Sequence, residues 1–288
     1  MHLYSILFWI ILVVIILWLC WYLWFEAYPQ RMLGKIYPAD PGSLNHQQSY
    51  FKVVKEYNRH PPSQLKGIFA VSLYGKWESK RFQEKYYGKL MTNIKFLQSL
   101  EWGKDWRYRV YLAQNLQDKA LQPLLDLDTE VFIIDADSIN SDGSINRTGS
   151  MWRFLACQDN LPFIILDADE YDLLDRVNIK EVDKWLQSDK QFYQNALYCI
   201  NLLIPVSCCC WGGKPYCIPE IDKIIQDLDH SWYGADEAFL AKIMMPYFTR
   251  GGLYRVSNPT EWMVWILILT VMLIALGAII YWYYRKNP

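Results

Sequence analysis

The sequence predicts an α/β domain with a largely parallel sheet, flanked by two membrane-spanning helices. Three observations predict it. Short apolar β-branched runs alternate with helically spaced segments through the middle of the chain, an acidic pair sits where one of those runs ends, and the stretches Leu3 to Phe25 and Trp262 to Tyr284 contain no charged residue.

Each charge-free stretch is long enough, at ~1.5 Å rise per residue, to cross a ~30 Å hydrocarbon core as a tilted helix. Trp18, Trp21, Tyr22 and Trp24 close the first, while Trp262 and Trp265 open the second and Tyr281 to Tyr284 end it. Aromatic belts of this kind favour the headgroup zone. A cleaved signal peptide is the alternative for the first stretch, but its apolar run is too long and no small-x-small site precedes the Trp24-Phe25 exit. Arg285 and Lys286 after the second read as a stop-transfer signal.

The division that follows is 1–27 as an N-terminal anchor, 28–66 as a connector, 67–259 as the working domain, and 260–288 as a second span with a short basic tail. Two spans place both termini on one face of a lipid bilayer and the domain on the other. Arg31, Lys35, Arg250 and Arg255 beside the domain, against Arg285 and Lys286 at the end, lean that domain toward the cytosol. A formal charge of -1 excludes a phosphate-tracking surface, so no nucleic acid is expected as a partner.

Of the seven cysteines, Cys208, Cys209 and Cys210 are adjacent, which is not a zinc spacing, so buried thiols are expected, with a disulfide open to a luminal domain. Asn146-Arg147-Thr148 is a glycosylation sequon, and Asn258-Pro259-Thr260 is blocked by its proline.

Within the domain, Gly67–Leu73 reads as a buried strand, Lys85 to Leu100 as a helix, Arg107 to Leu112 as a strand, Leu116 to Leu125 as a helix and Glu130 to Ile134 as a strand. Ser138 to Gly149 is a polar loop. A helix from Ser150 to Cys157 and the strand Phe163 to Leu166 follow, ending in Asp167-Ala168-Asp169-Glu170. Upstream, the Tyr50 to Tyr57 stretch reads only as an amphipathic patch in the connector.

In open parallel sheets ligands bind beyond the carboxyl ends of the strands, so the acidic pair falls in the right place for chemistry. Two carboxylates one residue apart can share a hard cation that bridges diphosphate oxygens. A helix cap explains such residues as well, and Asp135-Ala136-Asp137 after the preceding strand is a second copy.

The order of segments resembles a glycosyltransferase family of GT-A fold found in large DNA viruses and in polysaccharide synthesis. The pieces that carry the resemblance are Phe69–Gly75, Lys85–Ile94, Trp106–Tyr111, Gly149–Leu155, Asp167-Ala168-Asp169, Glu181–Ser188, Trp211-Gly212-Gly213-Lys214 and Tyr233–Leu240. The resemblance implies a GT-A-like, Rossmann-like domain that moves a sugar from a nucleotide-sugar donor to a hydroxyl of a glycan, lipid-linked or protein acceptor.

It places the metal pair, for manganese or magnesium, at Asp167 and Asp169, and leaves Asp135 and Asp137 as a decoy. It puts Ser72 and Tyr74 near the nucleotide, Arg153 and Lys214 near donor phosphate, and Asp236 with Glu237 where an acidic or amide pair holds sugar hydroxyls or, for Asp236, acts as the catalytic base. Each has a plainer account: a strand end for Ser72 and Tyr74, an ion pair for Arg153, a tight turn at Gly212-Gly213 for Lys214, and the first helical turn for Asp236 and Glu237.

The chain also departs from the family. Leu166 stands where an Arg precedes the acidic pair, Ala196 to Ile204 is apolar where a charged stretch belongs, and Cys208 to Cys210 replace small glycine-rich residues before Trp211. These departures motivate the alternative, a membrane protein that keeps the scaffold for binding or assembly without catalysis.

Overall fold

The computed structural model describes residues 51–169, 172–195, 210–226 and 235–256, together with isolated helical positions from Leu12 and Thr270 to Arg285. Apart from those isolated positions, the two predicted spans lie outside the described residues, as do the Ala196 to Ile204 stretch, Cys208, Cys209 and most of the 28–66 connector. Among the described residues no helix is long and apolar enough to cross a membrane.

The fold is α/β, built on one eight-stranded mixed sheet in the order β1-β4-β3-β2-β5-β7-β6-β8. The strands are β1 (Val53–Tyr57), β2 (Gly67–Leu73), β3 (Trp106–Ala113), β4 (Glu130–Ile134), β5 (Phe163–Ile165), β6 (Phe192–Asn195), β7 (Trp211–Gly213) and β8 (Leu253–Val256). β4, β3, β2 and β5 run parallel, an arrangement compatible with a Rossmann-like core. β1 is antiparallel to β4, β7 is antiparallel to both β5 and β6, and β6 pairs parallel with β8.

All seven residues of β2 are buried, which a strand covered on both faces requires and which its unbroken apolar run anticipates. β3 and β4 are buried almost throughout for the same reason. The helices are α1 (Gly88–Ser99), entered through a π-helical turn at Phe82–Tyr87; α2 (Gln117–Leu125); α3 (Gly149–Trp152), continued as a 3-10 turn at Arg153–Gln158; α4 (Leu173–Arg176); α5 (Ile179–Gln187); α6 (Ile221–Gln226); α7 (Ala235–Phe239); and α8 (Met245–Gly251). Leu90, Ile94 and Leu97 of α1 and Val182 and Trp185 of α5 bury one stripe each, at the three-to-four-residue spacing of a helix laid on a sheet.

β1 belongs to the segment that the sequence assigns to the connector. Three of its five residues are exposed, so it carries no apolar run to announce it; it is recruited as an edge strand, with Tyr57 opposite Val131 and Val53 opposite Ile134. Of the described cysteines, Cys157 and Cys210 are buried, as the sequence leads one to expect, and Cys217 is half-buried.

β2 has β3 on one side and β5 on the other, although β3 and β4 come between them in the chain. The strand order therefore reverses between β2 and β5. A crevice opens at such a reversal because the connections leaving the two strands diverge to opposite sides.

Candidate functional site

A cavity of about 580 Å³ occupies that reversal. Its walls come from the end of β2 and the turn beyond it (Ser72, Tyr74, Lys76), from the helical entry to α1 (Arg81), from the loop into α3 (Ile145, Arg147), and from Arg153, Asp167, Asp169, Asp236 and Glu237. Six of the seven site residues named from the sequence thus meet around one space.

Arg153 is the hub. Its backbone N–H donates to Ser72 Oγ at 3.0 Å, which pins the start of the 3-10 turn to the end of β2. Its guanidinium donates to the Leu166 carbonyl at 3.1 Å, to the Asp167 carboxylate, and to Asp236 Oδ2 at 3.1 Å. Its neighbours Trp152 and Phe154 are fully buried and hold the turn rigid. Ser72 consequently has a structural task of its own, and Arg153 makes the ion pair that was its plainer account, while both still face the cavity.

Tyr74 packs edge-on against Trp152, with ring centroids 5.7 Å apart. The contact depends on Gly149, where a Cβ would stand 2.3 Å from the Tyr74 ring. Burial pushes the Tyr74 phenol up, and the Asp236 carboxylate adds to the shift, so the hydroxyl keeps its proton and serves as a donor at neutral pH.

Asp236 lies in the first turn of α7, its Oδ1 accepting the Glu237 N–H at 3.1 Å. Burial raises its pKa above the usual carboxylate range; the Arg153 guanidinium opposes that rise and Asp167 adds to it. A carboxylate held in this way is a stronger proton acceptor than an exposed one, which suits a general base.

Lys214 is the residue that the structure places elsewhere. It follows β7 at the amino end of β5, opposite the cavity, and its Nζ donates to the Ser188 carbonyl at 2.5 Å. The glycines before it serve packing between strands: a Cβ on Gly212 would stand 2.2 Å from the Phe163 carbonyl oxygen. Neither the donor-phosphate role that the resemblance implies for Lys214 nor a tight turn describes this segment: Gly212 and Gly213 are strand residues that let β7 approach β5 closely.

Asp135 and Asp137 are exposed beyond β4, outside the cavity lining. The residues that sequence reasoning missed are the cations Lys76 and Arg147, which sit in polar loops, and Arg81, at the helical entry to α1; all three line one cavity only through the fold. No spacing signal marks them.

Asp167 and Asp169 supply hard oxygen donors of the type that manganese and magnesium prefer. Among the described residues no group of three or more His, Cys, Asp or Glu side chains is arranged as a complete metal cage. Two carboxylates match a cation that takes its remaining ligands from substrate phosphate and water, the usual habit of magnesium. Compared with protein-family models, with curated proteins and with solved structures, the chain matches none.

Proposed function

We propose that the protein is a membrane-anchored, GT-A-like glycosyltransferase that moves a sugar from a nucleotide-sugar donor to a hydroxyl acceptor. The observation that carries this reading is the meeting of Asp167, Asp169, Arg153 and Asp236 in one cavity at the strand-order reversal. The segment order described above, with its likeness to the GT-A family, supports it independently.

In this reading Asp167 and Asp169 would hold a manganese or magnesium ion, which when bound neutralises charge on the departing nucleoside diphosphate. Arg153 turns its planar fork toward the same phosphates. Asp236 takes the proton of the acceptor hydroxyl as that oxygen bonds to the anomeric carbon and the bond from that carbon to the diphosphate breaks. Tyr74 donates to a donor oxygen, and Trp152 behind it keeps the ring in place.

The test is donor hydrolysis across a panel of nucleotide sugars with added manganese, comparing the native chain with Asp167→Asn/Asp169→Asn. Turnover of one donor that disappears in the double variant is the expected result. Folded protein that neither turns over nor binds any nucleotide overturns it in favour of the non-catalytic scaffold. One observation favours that second reading: Arg153 already pairs with both Asp167 and Asp236 inside the chain.

A further inference from the structure

The edge strands fix where the chain enters and leaves the domain. β1 runs down from Val53, opposite Ile134 at the carboxyl end of β4. β8 runs parallel to β6, β6 antiparallel to β7, and β7 antiparallel to β5, so Val256 lies at the carboxyl end of the sheet as well. Both ends of the described domain, Phe51 and Val256, therefore emerge on the side that carries the cavity. They emerge at opposite edges, while β2 and β5, which bear the cavity, are the two central strands. With about 4.8 Å between strands, the cavity lies roughly 15–20 Å from each edge.

The charge-free stretch beginning at Trp262 follows Val256 closely, and even a fully extended chain spans at most about 20 Å between them. Along that stretch the described positions Leu273, Ile280, Tyr281 and Trp282 are helical, with 59, 39, 68 and 59 % of their surfaces exposed, an apolar face that suits lipid better than water. A tether this short holds the carboxyl end of the sheet beside the bilayer.

The cavity is also polarised. Asp167, Asp169 and Asp236 lie on the β5 and α7 side, whereas the exposed cations line it from elsewhere: Lys76 from the loop after β2, Arg81 from the helical entry to α1, and Arg147 from the loop before α3, which also carries Ile145 at 41 % exposure. We propose that the mouth of the cavity faces the bilayer and that its acceptor is a membrane lipid whose headgroup bears both a phosphate and a hydroxyl. This deepens the transferase reading and rests on it and on the two-span reading. The headgroup phosphate meets the cationic rim, and its hydroxyl reaches Asp236 from the membrane surface. A soluble glycan needs neither the short tether nor the cations.

The experiment uses the full chain in nanodiscs of phosphatidylcholine with or without phosphatidylinositol as the acceptor probe. A benzoylphenylalanine photocrosslinker replaces Ile145 at the mouth or, separately, Lys104 at the amino end of β3, where the lysine side chain is 64 % exposed. Lipid adducts at the mouth and none at the Lys104 position are expected; adducts at Lys104, at both positions equally or at neither overturn the orientation.

In the second arm, labelled sugar should enter the lipid fraction of phosphatidylinositol discs. Lys76→Gln, Arg81→Gln and Arg147→Gln should each raise the KM for the lipid about fivefold, as expected for one cation near an anionic membrane surface. Preferential transfer to a soluble oligosaccharide, or a KM that the three variants leave unmoved, overturns the lipid acceptor. Absence of turnover with every donor removes the transferase reading and the acceptor with it, while the crosslinks still decide which way the mouth faces.

Discussion

Among the described residues two arginines are buried, each between two carboxylates, and they do different things. Arg109 of β3 pairs with Glu130 of β4 and with Asp159, and all three side chains are at most 7 % exposed. Arg153 pairs with Asp167 and Asp236, whose side chains are 29 and 14 % exposed at the wall of the cavity. The first cluster is closed, and Arg59 with His60 covers it from outside. The second is open: the carboxylates that it binds form part of a cavity wall, beside further acidic and basic side chains. An arginine sealed in among its carboxylates can only stabilise the fold, whereas one whose carboxylates reach a cavity stays within reach of whatever enters it.

The largest effect that tests this contrast is Arg109→Met, which strands Glu130 and Asp159 without their cation and should cost about 3–5 kcal/mol in urea unfolding. Arg153→Met should cost clearly less, because water reaches the carboxylates it leaves behind; equal losses would break the comparison. Next, on the proposed transferase reading, Asp236→Asn should lower transfer by ~10²–10⁴-fold, the usual worth of a general base, with no loss of stability. Gly149→Ala forces a methyl group into the Tyr74 ring and should cost about 1–3 kcal/mol, the ordinary penalty of overpacking, while weakening donor binding.

The smallest effect is in pH dependence. The Asp236 pKa is raised in the folded chain, so the fold holds this proton more tightly than the unfolded chain does. Stability from this group therefore grows as pH falls from neutral through the raised pKa and is lost as pH rises back through it. In Asp236→Asn that part of the profile should flatten. Denaturant midpoints measured across the acidic range, native against variant, check the sign.

The sequence makes one half of the sheet readable and leaves the other half hidden, for physical reasons. β2, β3, β4 and β5 are buried on both faces and must be written in apolar residues, so their runs announce them. β1 is an exposed edge, and β7 is three residues of which two are glycine, so neither carries a pattern. β6 and β8 are four residues each, and β8 is only partly buried.

The site divides in the same way. Asp167 and Asp169 were visible because a strand end precedes them, whereas Asp236 was singled out only through the resemblance, since the start of a helix explains an acidic residue just as well. Lys214 misled because a glycine pair signals close approach without saying to what. The rim cations left no trace, since a lysine or arginine in a polar loop or at a helix entry looks the same whether or not it faces a cavity.

The reversal of strand order has a consequence for the life of the chain before it is complete. β2, β3 and β4 are consecutive and pair side by side, so they can assemble as soon as they exist. β5, which Asp167 follows by two residues, joins only after the whole β3 and β4 excursion has closed, and α7, which brings Asp236, arrives later still. Long closures of this kind are the slow steps of folding. A nascent domain that already holds most of its hydrophobic centre has no binding site at all, and capture of ligand reports that the last strands have docked.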